Sequence, residues 1–370
     1  MIGVTAPGCM ALGGSATRAV STADNGASTS DSGSADSPAD TGDTSQTTDS
    51  GEDVDTGDTA YIPAPCDVAL PFTLDLYVHS SPDAGLTWDG PTWLKGNMSV
   101  PDLLSHPAID GGDPWMLWMA FEDRVDQCDR LVYARVDPLT GSVGRVRPTT
   151  VLGTPPLTML PAGYRHPVSD PDLVVVGDVP VLAHTLWPDD EPHPCIGIST
   201  GDSAGTLVGG AFTFQPQLRW CNEEGAEGYT DAMAAWVPDI PGDADSPGVL
   251  RIWTPSEVAM TTGDVRNHEW VVAVPDPHDA AGWVELERRD APFSAFHLFG
   301  SAIRAGKAEC EWQVWGTRDN WIRTACTTDF ETWTEVGGSD PFAADPVVLA
   351  WSDRYLLYVT STPEYTGEAP

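Results

Sequence analysis

The feature that most limits the fold is a short turn sequence that returns along the chain. Ser81-Pro82-Asp83-Ala84-Gly85-Leu86-Thr87-Trp88 is its fullest copy. Thr327-Thr328-Asp329-Phe330-Glu331-Thr332-Trp333 is one residue shorter and lacks the glycine. Asp279-Ala280-Ala281-Gly282-Trp283 keeps Asp, Gly and Trp, Asp202-Ser203-Ala204-Gly205-Thr206 keeps Asp, Gly and Thr, and Asp137-Pro138-Leu139-Thr140-Gly141 keeps Asp and Gly. Side-chain oxygens of Ser and Asp accept backbone N–H groups in tight turns, and glycine supplies a φ that other residues avoid. The turn aspartates 83, 137, 202, 279 and 329 stand 54, 65, 77 and 50 residues apart. Turns repeated at such intervals indicate the blades of a radial repeat protein.

Between the turns lie runs of strand length. Examples are PWMLWMAFE (114–122), RLVYARVD (130–137), DLVVVGD (172–178), GVLRIWT (248–254), EWVVAVPD (269–276) and RYLLYVTS (354–361). They are rich in Val, Leu, Trp and Tyr and are bounded by turn residues. No 3.6-residue periodicity persists over twelve residues, so the chain reads as all-β.

The segment 81–88 resembles the Asp-box of sialidases and related propellers, matching it at Ser81, Asp83, Gly85, Thr87 and Trp88. The resemblance implies a structural motif at the turn between the two outer strands of a blade, with Trp88 packed between blades. A second repeat interleaves with the first: Pro101-Asp102-Leu103, Asp170-Pro171-Asp172-Leu173, Thr230-Asp231-Ala232-Met233 and Asp345-Pro346-Val347-Val348. These resemble the inner-strand openings of five-bladed arabinanase-like glycoside hydrolases. The fourth blade begins near Phe296-His297-Leu298 and lacks the Asp.

Together the repeats give a five-bladed β-propeller. Four blades fall at about 98–153, 168–216, 229–288 and 294–337. The fifth is a composite: inner strands from 344–362, outer strands from 71–94. Each half lacks what the other supplies, and such N-to-C closure removes exposed sheet edges. A six-bladed sialidase-like ring and a β-sandwich are the alternatives.

Residues 21–60 are almost all Ser, Thr, Asp, Gly and Ala, and residues 22–59 hold ten acids and no base. Such a stretch cannot offset its chain entropy by burial and is expected to be a disordered acidic linker. Three divisions follow: residues 1–20, a signal or lipobox remnant; 21–60, the linker; 61–370, the propeller. Gly8-Cys9 is like the end of a bacterial lipobox, which makes Cys9 a lipidation candidate if translation starts further upstream. A secreted or surface-anchored protein is the expected setting.

The net charge is −37, with 55 acidic against 18 basic side chains. That surface repels phosphate backbones, so nucleic acid is excluded as a partner. No run of 18 apolar residues offers a transmembrane helix. A carbohydrate or a cell-surface partner remains, with the chain expected to be a monomer. The cysteines form no CxxC pair and the histidines no HExxH cluster, so no metal ligand set is read. Six cysteines within the propeller suggest disulfides. Cys310 and Cys326 are symmetric about Arg318 and are the first pair expected; Cys195 with Cys221 is the second, and Cys66 with Cys128 follows by elimination.

The arabinanase-like resemblance implies three inward carboxylates near the axis: a general base, a group that tunes a pKa, and a general acid. By motif Asp345 resembles the base and Asp172 or Asp170 the modulator. Asp231 stands where a Glu acid is expected, with Glu227 just upstream as a substitute. Asp102 opens the equivalent strand of the first blade. Four acids gathered around one axis repel, and protonation, an arginine or a calcium ion in the channel would relieve that repulsion. No other cofactor is implied. Trp118, Trp187 and Trp236 follow or end inner strands and are candidates for stacking on sugar faces. His184 and His297 read as structural. No Arg-Ile-Pro motif of a sialidase is present. The sequence therefore points to a glycan-directed propeller, non-catalytic or weakly catalytic, with an inverting glycosidase of the arabinanase or furanosidase kind as the alternative.

Overall fold

A computed structural model describes residues 74–96, 98–121, 129–154, 168–188, 191, 193–201, 210–221, 228–238, 248–255, 267–291, 298–307, 309–336, 341–352, 354–362 and 364–368. The linker, Cys9, Cys66, Cys128, Glu227, His297 and the Asp202 turn lie outside the described residues.

The described strands form five sheets, the blades of a five-bladed propeller. The chain opens with β1 (Asp75–Ser81) and β2 (Asp89–Gly96). Blade one is β3 (Met98–Leu104), β4 (Trp115–Phe121), β5 (Asp129–Arg135) and β6 (Arg147–Pro148). The short β7 (Thr150–Leu152) then crosses to the rim of the next blade, pairing parallel with its last strand. Blade two is β8 (Val168–Val176), β9 (Val179–Leu186), β10 (Cys195–Gly201) and β11 (Ala211–Trp220). Blade three is β12 (Met233–Val237), β13 (Val249–Pro255), β14 (Asn267–Ala273) and β15 (Val284–Asp290). Blade four is β16 (Leu298–Lys307), β17 (Cys310–Arg318), β18 (Trp321–Thr327) and β19 (Trp333–Val336). Blade five takes β20 (Ala344–Trp351) and β21 (Arg354–Ser361) inside and β1 and β2 outside, in the order β2-β1-β21-β20. The ring thus closes between the two ends of the propeller sequence. The inner strands β3, β8, β12, β16 and β20 touch one another in that order, and β20 touches β3.

Five apolar clusters fill the five gaps between blades, and tryptophan is central to each. Trp270 sits between blades two and three, Trp115 between one and two, and Trp118 between five and one. Trp253 and Trp312 fill the gap between three and four, and Trp315 that between four and five. Flat, wide side chains suit the wedge between two twisted sheets, and each buries a large apolar area.

The repeated turns join outer strands. In the first, Gly85 N–H donates to Ser81 Oγ (2.8 Å), while Thr87 N–H (2.9 Å) and Thr87 Oγ1 (2.7 Å) donate to the Asp83 carboxylate. These bonds hold Asp83 down at about 2. Gly85 has φ +88°, and Trp88 packs against the cluster between blades four and five. In the shorter turn Phe330 takes φ +63°, and Asp329 accepts the N–H groups of Glu331 and Thr332 at 2.9 and 2.7 Å.

Two expected disulfides form, Cys195–Cys221 and Cys310–Cys326, with Cα separations of 4.4 and 5.0 Å. The hairpin that carries the second is not centred at Arg318. Arg318 faces Trp321 and Gln313 faces Cys326, so the turn is Asp319-Asn320. Both residues have positive φ, +53° and +62°, as a two-residue hairpin turn of matching twist requires. Cys310 reaches Cys326 obliquely, from three residues before Cys326's facing partner.

Candidate functional site

The site is built from an irregularity that recurs in the inner strands. Ser99-Val100-Pro101-Asp102, Ser169-Asp170-Pro171-Asp172 and Ala344-Asp345-Pro346-Val347 occupy the same place in blades one, two and five. Ser99 faces Met119 but Asp102 faces Leu117; Ser169 faces Thr185 but Asp172 faces Ala183; Ala344 faces Thr360 but Val347 faces Tyr358. In each, the inner strand carries one residue more than its partner. Proline has no N–H to give the ladder, so pairing lapses where it stands. The residue before it takes a left-handed conformation: φ is +45° at Val100, +48° at Asp170 and +48° at Asp345. Asp231 of blade three, in Thr230-Asp231-Ala232-Met233, has φ +50°. Blade four carries Leu298-Phe299-Gly300-Ser301 there, and a Cβ on Gly300 would collide with the Pro346 carbonyl oxygen of blade five. Aspartate tolerates positive φ better than most residues; Val100 shows that the conformation belongs to the bulge itself.

The two acids of the Asp170-Pro171-Asp172 opening part company, and Asp172 shares its setting with Asp102 of blade one. Asp102 and Asp172 are buried. Asp102 accepts the N–H of Leu173 in blade two, and Asp172 accepts the N–H of Ala234 in blade three at 2.9 Å. Burial raises Asp102 to about 7, and burial together with the Asp102 charge raises Asp172 well above its ordinary value. Both are expected among the inward carboxylates; the structure places each as a cap on the neighbouring blade's inner strand.

Asp170, Asp231 and Asp345 keep part of their surface open. Asp345 Oδ2 accepts Thr360 Oγ1 (2.5 Å) and Val100 N–H (3.4 Å). Ser169 Oγ donates to Asp170 Oδ2 at 2.9 Å, and the Thr185 hydroxyl donates to the same carboxylate. Thr185 Oγ1 also accepts the Asp231 N–H at 3.1 Å. The three acids feel each other's charge. Desolvation, then the charges of Asp170 and Asp345, drive Asp231 well above its ordinary value. Desolvation, assisted by Asp345, raises Asp170 to about 6, and desolvation raises Asp345. Carboxyls whose environments push their pKa values apart can supply one proton donor and one base at the same pH. Among the described residues no three His, Cys, Asp or Glu side chains converge as a metal's ligand set.

The tryptophan candidates divide. Trp118 is fully buried between blades five and one, so it cannot stack on a sugar. An alternating strand pattern does not tell which face meets the next blade, and that is why the sequence misplaced it. Trp236 is half-buried against the cluster between blades two and three, beside Gly248. Trp187 is half-buried at the end of β9, and its Nε1 donates to Ser169 Oγ at 3.2 Å, one residue from Asp170. His184 is structural: buried, 2.9 Å from Ser199 Oγ, and pushed by desolvation down to about 4. The sequence reading did not single out Thr185 and Thr360. Their signal is a threonine near the end of the second strand, repeated as Thr254 and Thr317.

No family model matches the sequence. No curated protein matches it. Among solved structures, a protein of unknown function from Dyadobacter fermentans is similar at TM-score 0.46 and 12% identity, over 74% of this chain and 81% of that one. A beta-xylosidase, RS223, is similar at TM-score 0.45 and 12% identity, over 73% and 94%. An endo-1,4-beta-xylanase from Bacteroides thetaiotaomicron is similar at TM-score 0.35 and 13% identity over 51% of this chain, which spans 58% of that enzyme's length. Likenesses of this size decide nothing about activity; the propeller rests on the chain's own strand order.

Proposed function

We propose that the protein is a glycan-directed propeller whose carbohydrate site is the channel end ringed by Asp170, Asp231 and Asp345. The observation that carries this is the placement of three partly open acids on left-handed backbone at the openings of three inner strands, with the half-buried Trp187 beside Asp170. Gathering like charges costs free energy, and the ring does not need it: blade one makes the same bulge with Val100. Carboxyls hydrogen-bond sugar hydroxyls, and an indole face suits a pyranose or furanose face. The acid-rich surface favours a neutral glycan over an anionic one. Two disulfides suit an oxidising compartment, so we place the protein outside the cytoplasm, held there by the expected linker and lipid anchor at Cys9. A calcium ion belongs to this reading only as a guest held through water.

One observation favours a second reading, inverting glycoside hydrolysis: the unequal surroundings of the three acids, with Thr360 and Val100 donating to Asp345 while Asp231 faces the charges of Asp170 and Asp345. Asp231 would protonate the leaving oxygen, Asp345 would take a proton from the water that attacks the anomeric carbon, and Asp170 would tune the pair. Titration calorimetry against neutral arabino- and xylo-oligosaccharides tests the binding, and release of the phenol from aryl furanosides tests the hydrolysis. Binding that weakens about tenfold or more in Trp187→Ala, with the melting temperature kept, supports the site. Binding unchanged in Trp187→Ala and in Asp170→Asn overturns it.

A further inference from the structure

The second strands of blades two, three and five end alike, with Thr185, Thr254 and Thr360 beside the first-strand openings. Their hydroxyl protons go to different places. Thr360 Oγ1 donates to Asp345 at 2.5 Å. Thr185 donates to Asp170 and turns its lone pair to the Asp231 N–H at 3.1 Å. Thr254 Oγ1 instead donates to backbone carbonyl oxygen, that of Thr230 with Pro255 also in reach. A hydroxyl has one proton, so Thr254 has none left for Asp231.

We propose that Thr185 and Thr360 are positioning residues that divide the three channel acids, holding Asp170 and Asp345 as carboxylates and leaving Asp231 protonated near neutral pH. The proposal rests on reading these acids as the functional site. Asp170 receives two donors, the Ser169 and Thr185 hydroxyls. Asp345 receives two, Thr360 Oγ1 and Val100 N–H. Asp231 receives the hydroxyl of Thr230. A donor favours the ionised form of its acceptor. Among the described residues, the charged groups facing Asp231 are Asp170 and Asp345, and that facing Asp170 is Asp345. Once the two better-served acids ionise, their charges hold the proton on the third. A protonated Asp231 can donate a hydrogen bond to a bridging sugar oxygen while the carboxylates accept from sugar hydroxyls.

Carboxyl-carbon NMR of the full chain, with aspartate labelled, reads each titration without any sugar, so it can fail while glycan binding holds, and the reverse. The expected order in the wild-type chain puts Asp231 last. Thr360→Val raises the Asp345 midpoint by about one to two pH units, and Thr185→Val does the same for Asp170, as loss of one hydrogen bond to a charged group implies. Thr360→Ser and Thr185→Ser restore the wild-type midpoints, which a merely structural role would not require. An unmoved midpoint in either valine variant overturns the proposal. Should a valine variant not fold, the wild-type order still decides, and Asp231 titrating before Asp170 or Asp345 overturns it.

Discussion

Asp102 accepts the backbone N–H of Leu173, so a side chain and not a sheet ladder fastens the inner strand of blade one to that of blade two. One blade further on, Asp172 accepts the Ala234 N–H in the same way. The propeller therefore uses two acids on its own ring, while Asp170, Asp231 and Asp345 keep part of their surface open.

The ring acids make stability depend on pH. Asp102 titrates at about 7 in the fold, against about 4 in an unfolded chain. The native state keeps a proton that the unfolded chain has lost. Its contribution is whole below about pH 4 and fades as pH rises to about 7. Asp102→Asn keeps an oxygen for Leu173 N–H and has no charge to desolvate. Thermal melts at pH 4 and pH 8 are expected to differ less for the Asn variant than for the wild type; equal differences contradict the assignment. Asp102→Leu leaves the N–H unanswered and costs about 1–3 kcal/mol at pH 4, where the wild-type carboxyl is protonated; at pH 8 the cost shrinks, because the variant has no charge to desolvate.

The Cys310–Cys326 bridge spans 16 residues. Loop-closure entropy for such a span is about 3 kcal/mol at 25 °C. Replacing both cysteines by serine is expected to lower denaturant stability by about that amount. Peptide mapping without reductant is expected to recover 310 linked to 326 and 195 linked to 221; a free thiol at Cys310 contradicts the bridge.

Closure of the ring depends on β1, which pairs with β21 from Asp75–Ser361 to Ser81–Tyr355. A chain starting at residue 97 loses Leu76 and Val78 from the cluster that covers Leu356 and Tyr358. The loss exceeds the ~5–15 kcal/mol of net stability that a domain has. Circular dichroism is expected to show no cooperative melt for this truncation, and a melt like the parent's rules the closure out.

The blade order was legible because turns and strand openings are local chemistry. An Asp with Gly or Thr fixes a turn wherever it lies, and Asp-Pro marks a strand whose ladder must break. What each acid of Asp170-Pro171-Asp172 faces was not legible. That depends on one extra residue, Asp170, being pushed out of register and on Leu173 and Ala234 arriving from other blades. Trp118 was misplaced for a related reason: its neighbours in the fifth blade come from the opposite end of the chain. The Asp319-Asn320 turn was readable and was missed, since Asp and Asn favour positive φ.

The two tryptophans should separate by assay. Trp118→Ala opens a cavity between blades and is expected to cost about 3–5 kcal/mol in chemical denaturation. Trp187 is half-buried at the end of a strand, with Nε1 donating to Ser169 Oγ, and Trp187→Ala is expected to leave the melting temperature within a few degrees. A reversal, with Trp187 the costlier, would place Trp187 in the core.

The central claim is that Asp170, Asp231, Asp345 and Trp187 form one carbohydrate site. The most direct measurement is a crystal structure of the propeller grown with whichever neutral oligosaccharide binds most tightly in calorimetry. The account predicts sugar density at the channel end, with hydroxyls within hydrogen-bond distance of Asp170 or Asp345, a sugar oxygen near Asp231, and a ring face against Trp187. Sugar bound on an outer strand or a blade rim, with the channel acids untouched, contradicts it.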